Sequence, residues 1–219
     1  QGRADLEPWQ RSQRVGAHVK LTLDHLMASS AIPFVFPAVK VNREWFGDGS
    51  MRQTAPISPA IHLGADKVLV IGAGRLHEEH ARPRTSTYPS LAQIAGHALS
   101  NIFLDALAVD VERLQRINST LALLTPEARA RSSLKPIEVL VIAPSQRLDD
   151  IAARHLGALP LPIRGMLRGV GVEGRGDDAR GAALASYLLF ESPYTSELVA
   201  LGVADTLARR GEVARFFRW

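Results

Sequence analysis

The stretch Lys67–Gly74 reads KVLVIGAG, and it decides the fold. A continuous β-branched and aliphatic run bounded by glycines is typical of a strand that is buried on both faces of a sheet. A second run, IEVLVIAP, occupies Ile137–Pro144. Helical patterns lie before and after each run, so the two strands are predicted to form a parallel sheet with helices on both faces. The predicted fold class is therefore α/β.

The other patterns predict the elements around these strands. Apolar residues recur at three and four positions from Ser90 to about Leu124, which indicates one long amphipathic helix. The remaining predictions are a loop or arm over 1–16, a short strand and a short helix over 18–33, a hairpin over 38–49, a short helix over 54–64, a capped helix over 145–157 and interrupted helices to the end of the chain.

Composition describes an ordinary globular domain and excludes several classes of function. Of the 219 residues, 46% are hydrophobic and 22% are charged. Cysteine is absent, which excludes disulfides, thiolate metal sites and a cysteine nucleophile. The net charge is +4, but 22 acidic residues are interspersed among 26 basic ones and no aromatic residues are interleaved with a basic block. No nucleic-acid partner is predicted.

Two or three core strands form a thin sheet for so many amphipathic helices. We therefore expect part of the sheet to come from residues before Gln1 or from another chain. The opening QGRADLEPW has no methionine, which fits a processed product, a proteolytic piece or an expressed fragment.

A single carboxylate stands between two glycines in FGDGSMR, residues Phe46–Arg52. Asp-Gly is a common turn dipeptide, so Asp48 can simply shape the exit of the hairpin. The functional alternative starts from the glycines, whose lack of side-chain bulk lets a substrate or another backbone approach the carboxylate closely. Such an aspartate can orient a partner or accept a proton.

The ordered pattern around this carboxylate resembles patatin-like phospholipases, the bacterial lipid acyl hydrolases related to plant patatin. It reads ASSAIPFVFPAVKVNREWFGDGSMRQTAPISPAIHLGADKVLVI over Ala28–Ile71. Later pieces are also similar to bacterial members, including Asn118, VLVIAPS and YLLFESPYTSELVALG. The resemblance implies a three-layer α/β/α sandwich that is incomplete in this chain. It places residues 1–219 as the C-terminal portion of one catalytic domain, with 1–75 carrying the Asp-Gly motif and 76–219 a mostly helical remainder.

The resemblance implies serine acyl hydrolysis by a Ser-Asp dyad. Asp48 matches the family's aspartate and Gly49 its glycine, while Gly47 and Gly49 support the loop. Ser50 stands where the family usually has Gly or Ala, and its surroundings do not fit the nucleophile turn. Since the chain contains no Gly-x-Ser-x-Gly, the nucleophile and the oxyanion hole are expected in a missing N-terminal part, and this chain alone is expected to be inactive.

Phe34 and Phe36 are predicted to line an acyl pocket and, with Trp45 and Phe46, to desolvate the aspartate. The alternative for these aromatic residues is an ordinary place in the core. The expected partners are a lipid or acyl-ester substrate and the N-terminal portion of the same protein. No cofactor and no metal are predicted.

Other functions remain open from the sequence. The fold could serve as a binding module that holds lipid or protein without turnover. VLVIGAGR, residues 68–75, is similar to a dinucleotide loop but lacks its third glycine, and HEEH, residues 77–80, could offer two imidazoles to a metal. These two stretches are also explained by a strand exit and a solvated loop.

The end of the chain, ARRGEVARFFRW, places Phe216, Phe217 and Trp219 among arginines. Such a segment can lie on a membrane surface, or it can pack onto the domain. No apolar run approaches the length of about 18 residues that a membrane-spanning helix needs. The compartment is left open, with the cytoplasm or the membrane periphery favoured.

Overall fold

The computed structural model describes residues 7–11, 14–33, 35–52, 55–74, 88–100, 106–172 and 181–219. The strands of these ranges form three two-stranded sheets. They are β1 (Trp9–Arg11), β2 (Arg14–Gly16), β3 (Val39–Val41), β4 (Glu44–Phe46), β5 (Lys67–Ile71) and β6 (Glu138–Ile142). The α-helices are α1 (Leu23–Ser29), α2 (Ser58–His62), α3 (Leu91–Ser100), α4 (Ala106–Ala122), α5 (Pro126–Ala130), α6 (Leu148–His155), α7 (Leu161–Gly169), α8 (Ala182–Ser186), α9 (Ser192–Ala208) and α10 (Arg210–Phe217).

The two apolar runs pair as predicted. β5 and β6 are parallel and in register from Lys67 opposite Glu138 to Ile71 opposite Ile142. A parallel pair needs a long crossover, and here the connection contains α3, α4 and α5. The mixture of helices with a parallel pair confirms the α/β fold class.

Helices contact both faces of this pair, although they leave Leu69 and Ile71 of β5 exposed. On one face, Val68 is buried with Ile57 at the start of α2 and Leu114 of α4. Because side chains alternate along a strand, Lys67 points to the opposite face. There its ammonium donates to the carbonyl of Phe216 at 2.6 Å and lies 5.1 Å from the centre of the Phe216 ring. The order at this pair is therefore α2 and α4, then the strands, then α10.

A second and larger core joins the helices of the C-terminal half. Ile151, Ala152 and Ala185 have no exposed surface, and Leu189 is 2% exposed. These residues lie in or beside α6 and α8, and the same cluster includes Tyr194 and Leu201 of α9. α3 packs closely against α8 of this core. A Cβ atom added at Gly96 of α3 would lie only 2.9 Å from the Leu184 nitrogen, so this contact requires glycine.

β5 is not buried on both faces, and that prediction was wrong. Leu69 is 42% exposed and Ile71 is 79% exposed. The Asp66 carbonyl accepts from the Glu138 nitrogen at 2.9 Å, and the Gly72 nitrogen donates to the Ile142 carbonyl at 2.8 Å. The even-numbered residues of this segment therefore direct their peptide groups toward β6. The peptide groups of Leu69 and Ile71 therefore face the other edge, where the described residues place no strand.

Two predictions for the N-terminal region also need correction. The segment expected to be a loop or arm contains the antiparallel strands β1 and β2, and the Trp9 ring lies 4.8 Å from the ring of His62 in α2. The strand predicted before α1 is absent from residues 17–22. Alternating apolar residues at Val19, Leu21 and Leu23 suggested it, but all three are exposed and have no neighbouring strand to pair with in the described chain.

Other local predictions agree with the structure. The hairpin over 38–49 is confirmed by β3 and β4, whose turn places Asn42 at a φ of 55°, a left-handed conformation that asparagine tolerates. Over 90–124 the structure describes the helices α3 and α4. Residues 101–105 between them lie outside the described residues, so one continuous helix stays a prediction. No helix in the described ranges is long and apolar enough to cross a membrane.

Candidate functional site

The loop of Asp48 is held by its backbone against the segment that follows α1. β4 ends at Phe46, and a 3-10 turn begins at Gly49. Between them, the Asp48 nitrogen donates to the carbonyl of Ala31 at 2.9 Å. Ala31 is only 3% exposed, so this bond fixes the loop to a packed part of the chain.

The carboxylate of Asp48 is half-buried and uses one of its two oxygens locally. Its Oδ1 accepts from the Ser50 nitrogen at 2.9 Å and also from the Ser50 hydroxyl. This is the Asx turn expected of an aspartate that precedes a tight turn. Oδ2 accepts no hydrogen bond from the described residues. One oxygen therefore orients the side chain, and the other remains available to a proton donor.

The glycines on either side leave space next to this oxygen pair. A Cβ at Gly49 would meet no atom within 4 Å, and one at Gly47 would come no closer than 3.5 Å to the Ala31 oxygen. Neither residue has a positive φ. Packing and backbone conformation therefore do not require glycine at Gly49, and the open space fits the predicted close approach of a substrate or another segment.

The aromatic residues near Asp48 lie on the surface. Phe36 is 41% exposed, Trp45 is 69% exposed and Phe46 is 42% exposed, so the alternative that they form an ordinary core does not hold for them. Phe34 lies outside the described residues. Leu26, Met27 and Met51 are also exposed, at 62%, 55% and 44%. Exposed apolar side chains are therefore frequent in the stretch of sequence that contains Asp48.

Residues 10–61 match the family model for patatin-like phospholipase. This patatin-like stretch runs from β1 to α2 and contains the whole Asp48 loop, which supports the resemblance stated above. At the level of the family, it indicates a lipid acyl hydrolase. The match covers N-terminal residues of this chain. The expectation that the chain is the C-terminal portion of a patatin-like catalytic domain therefore stays a prediction. No curated protein and no solved structure matches the chain.

Asp110 is a buried carboxylate that the sequence interpretation missed. It is 7% exposed on α4, and its Oδ2 accepts from the Ile57 nitrogen at 2.9 Å. Arg113 lies 3.6 Å from the other oxygen. Ile57 precedes α2, so Asp110 caps that short helix from a distant part of the chain. The sequence did indicate that Asp110 is buried, because it stands four residues before Leu114 and so lies on the apolar face of the helical pattern.

A second cluster of charged groups joins α6 to α9. Glu197 accepts from His155 at 2.6 Å and from Arg154. These hydrogen bonds, first from His155 and then from Arg154, hold the pKa of Glu197 below its ordinary value. Among the described residues, no serine hydroxyl bonds to His155. The role of this cluster is to connect two helices.

The remaining candidate motifs receive an ordinary structural explanation or lie outside the described residues. Gly72 ends β5 beside β6, where a Cβ would lie 3.4 Å from the side chain of Ala143. Residues 75–87, which include Arg75 of the dinucleotide-like loop and the whole of HEEH, are outside the described ranges. Within those ranges, no three His, Asp or Glu side chains are grouped to hold a metal. Asn118 bonds to both the nitrogen and the oxygen of Ile137, at 3.0 Å and 2.8 Å, and so fixes α4 to the start of β6.

Proposed function

We propose that the chain carries the base-bearing part of a serine lipid acyl hydrolase, with Asp48 as the general base. The observation that carries this proposal is the Asp48 carboxylate itself, oriented through Oδ1 and open at Oδ2, within the stretch that matches patatin-like phospholipases. A serine hydroxyl that donates to Oδ2 would lose its proton to Asp48 as it attacks the ester carbonyl. Asp48 would pass this proton to the alcohol that leaves as the acyl-enzyme forms, and the restored carboxylate would then activate the water that hydrolyses the acyl-enzyme.

The nucleophilic serine and the oxyanion hole are proposed to come from outside these 219 residues, in an N-terminal portion of the same protein. Two observations support this. The sequence has no Gly-x-Ser-x-Gly turn, and the Ser50 hydroxyl already donates to the Asp48 carboxylate two residues away. The edge of β5 with exposed Leu69 and Ile71 offers a place for a further strand.

The exposed apolar residues around Asp48 would then be covered by the substrate and by the N-terminal portion. Phe36 is proposed as part of the acyl pocket, together with Phe34. Covering this surface would remove water from Asp48, and a desolvated carboxylate that faces an alcohol is a stronger base than one in bulk water. The 41% exposure of Phe36 provides apolar area for an acyl chain.

The test is labelling of the complete gene product with a fluorophosphonate, followed by peptide mass spectrometry. The expected result is one adduct on a serine outside residues 1–219, and loss of that adduct in Asp48→Asn. Asp24→Asn, an exposed aspartate in the same region, is the control and should label normally. An adduct on Ser50 would contradict the proposed role of Ser50. The absence of any adduct from the folded protein would favour a binding module.

A further inference from the structure

The C-terminal helix α10 is anchored on one side and bare on the other. Phe216 is 6% exposed, and its carbonyl accepts from Lys67 of β5. The next aromatic residue, Phe217, is 42% exposed, and Trp219 is 87% exposed. The helix is therefore fixed to the sheet through Phe216 while Phe217 and Trp219 face away from the core.

The two exposed aromatic rings form an ordered pair. Arg218 adopts a left-handed conformation with φ of 59°, and the chain turns back so that the Trp219 nitrogen donates to the Ala214 carbonyl at 3.0 Å. This turn stacks the Trp219 ring on Phe217, with centres 4.9 Å apart and planes 18° from parallel. A stacked Phe-Trp pair held by backbone hydrogen bonds is a preformed apolar projection.

Exposed arginines accompany this projection in the segment, which holds a single acidic residue. Arg210, Arg215 and Arg218 are exposed. Glu212 is the only acidic residue between Arg209 and Trp219, and both of its oxygens bond to Arg209. Arg210 and Phe217 stand seven residues apart, so they share one side of the helix. The surface defined by Arg210, Arg215, Phe217, Arg218 and Trp219 is called the α10 surface below.

We infer that the α10 surface binds an anionic phospholipid bilayer, with Phe217 and Trp219 at the level of the lipid headgroups and the three arginines on lipid phosphates. Tryptophan beside cationic residues is the composition of interfacial anchors. The excess positive charge complements an anionic leaflet. The inference rests on the proposed function in one respect, since a lipid ester substrate is what makes a bilayer the expected partner over an acidic protein.

The experiment is flotation of the intact protein with vesicles of equal parts phosphatidylcholine and phosphatidylglycerol, compared with phosphatidylcholine alone. Both lipids are of the diether kind, which contain no acyl ester bond, so binding is measured without acyl hydrolysis. Floating protein is counted as bound, and aggregates sediment. The expected result is flotation with the anionic vesicles and little with the neutral ones.

Two variants test the two parts of the α10 surface. Phe217→Ala with Trp219→Ala removes the aromatic pair, and Arg210→Gln with Arg215→Gln and Arg218→Gln removes the charge. Replacing the three arginines should weaken binding about a hundredfold. The matched controls are Tyr88→Ala, an aromatic residue that is 90% exposed, and a triple Gln variant of the exposed Arg43, Arg131 and Arg168. Both controls should float as the parent protein does.

Unchanged flotation of both α10 variants, or an equal loss in the matched controls, overturns the inference. Capture by an acidic protein without any vesicle binding does so too. Asp48→Asn should bind vesicles normally whatever its activity. Failure of the hydrolase proposal and failure of the membrane inference are therefore seen in different measurements.

Discussion

Ser50 donates two hydrogen bonds to a single oxygen of Asp48, one from its amide nitrogen at 2.9 Å and one from its hydroxyl. The hydrogen bond from the amide nitrogen depends only on the backbone of the turn, so any residue except proline can make it. The second hydrogen bond needs a side-chain hydroxyl. The Gly or Ala that the patatin-like family usually has at this position would keep the hydrogen bond from the amide nitrogen and lose the one from the hydroxyl. The contributions of Asp48 and Ser50 can therefore be tested separately.

Replacing Asp48 and Ser50 should have very different effects on ester hydrolysis by the intact protein. Asp48→Asn removes the base but keeps an oxygen that can accept from Ser50, so turnover should fall about 10²–10⁴-fold with the fold retained. Ser50→Ala removes one hydrogen bond from an oxygen that is not proposed to face the substrate, and turnover should stay within about tenfold. The measurement is kcat/KM with a short-chain ester, with circular dichroism as the check on folding. Retained activity in Asp48→Asn would remove Asp48 from its role.

Asp110 should matter for stability. Asp110→Ala leaves the Ile57 nitrogen buried without an acceptor, which should lower the free energy of unfolding by about 1–3 kcal/mol. Asp110→Asn keeps an acceptor and should cost less. Urea unfolding of the intact protein measures both. Glu112→Ala on the same helix, where the side chain is 66% exposed, is the control and should change stability by at most about 0.5 kcal/mol. Equal effects of Glu112→Ala and Asp110→Ala would contradict the capping role.

The link between α6 and α9 should weaken in acid. The pKa of Glu197 is lowered in the folded protein, so the unfolded chain binds a proton more readily than the folded one does. The stabilisation is therefore complete above the ordinary glutamate pKa of 4.5 and is lost as pH falls through the lower folded value. Glu197→Gln should reduce the melting temperature at neutral pH, and the difference from the parent should shrink below pH 4.5. A difference in melting temperature between Glu197→Gln and the parent that grows in acid would contradict this prediction.

The 219-residue chain produced by itself should aggregate, because β5 has an open edge with exposed apolar residues. Leu69→Lys with Ile71→Lys should raise the soluble fraction by placing charge along that edge. Val199→Lys with Val203→Lys on α9 adds the same charge at residues that are 66% and 53% exposed, and it should help less. Size-exclusion chromatography measures the monomer. A sharply cooperative melt of the unmodified monomeric chain would contradict this prediction.

The sequence predicted the elements whose signal is local. The apolar runs became β5 and β6 because runs of β-branched and aliphatic residues favour strands, and the hairpin of β3 and β4 followed from its turn residues. Asp48 was selected by the pattern around it, and the structure adds that its Oδ1 is bonded to Ser50.

The sequence could not predict features that depend on distant contacts. Burial of β5 on both faces was inferred from its apolar composition. Burial also needs a packing partner, and the described residues leave Leu69 of β5 exposed. The pairing of β1 with β2 was missed because their residues, such as Arg11 and Arg14, are typical of loops. Asp110 was missed because its partner, Ile57, lies 53 residues away.

The ammonium of Lys67 connects the first residue of β5 to the last turn of the polypeptide through the Phe216 carbonyl and to β6 through the carboxylate of Glu138, each at 2.6 Å. A mechanical load applied to Trp219 would therefore reach the sheet at Phe216 and Lys67 before it stretched α9. In an optical-trap experiment, Lys67→Met would be expected to peel α10 away at a lower force than in the parent protein.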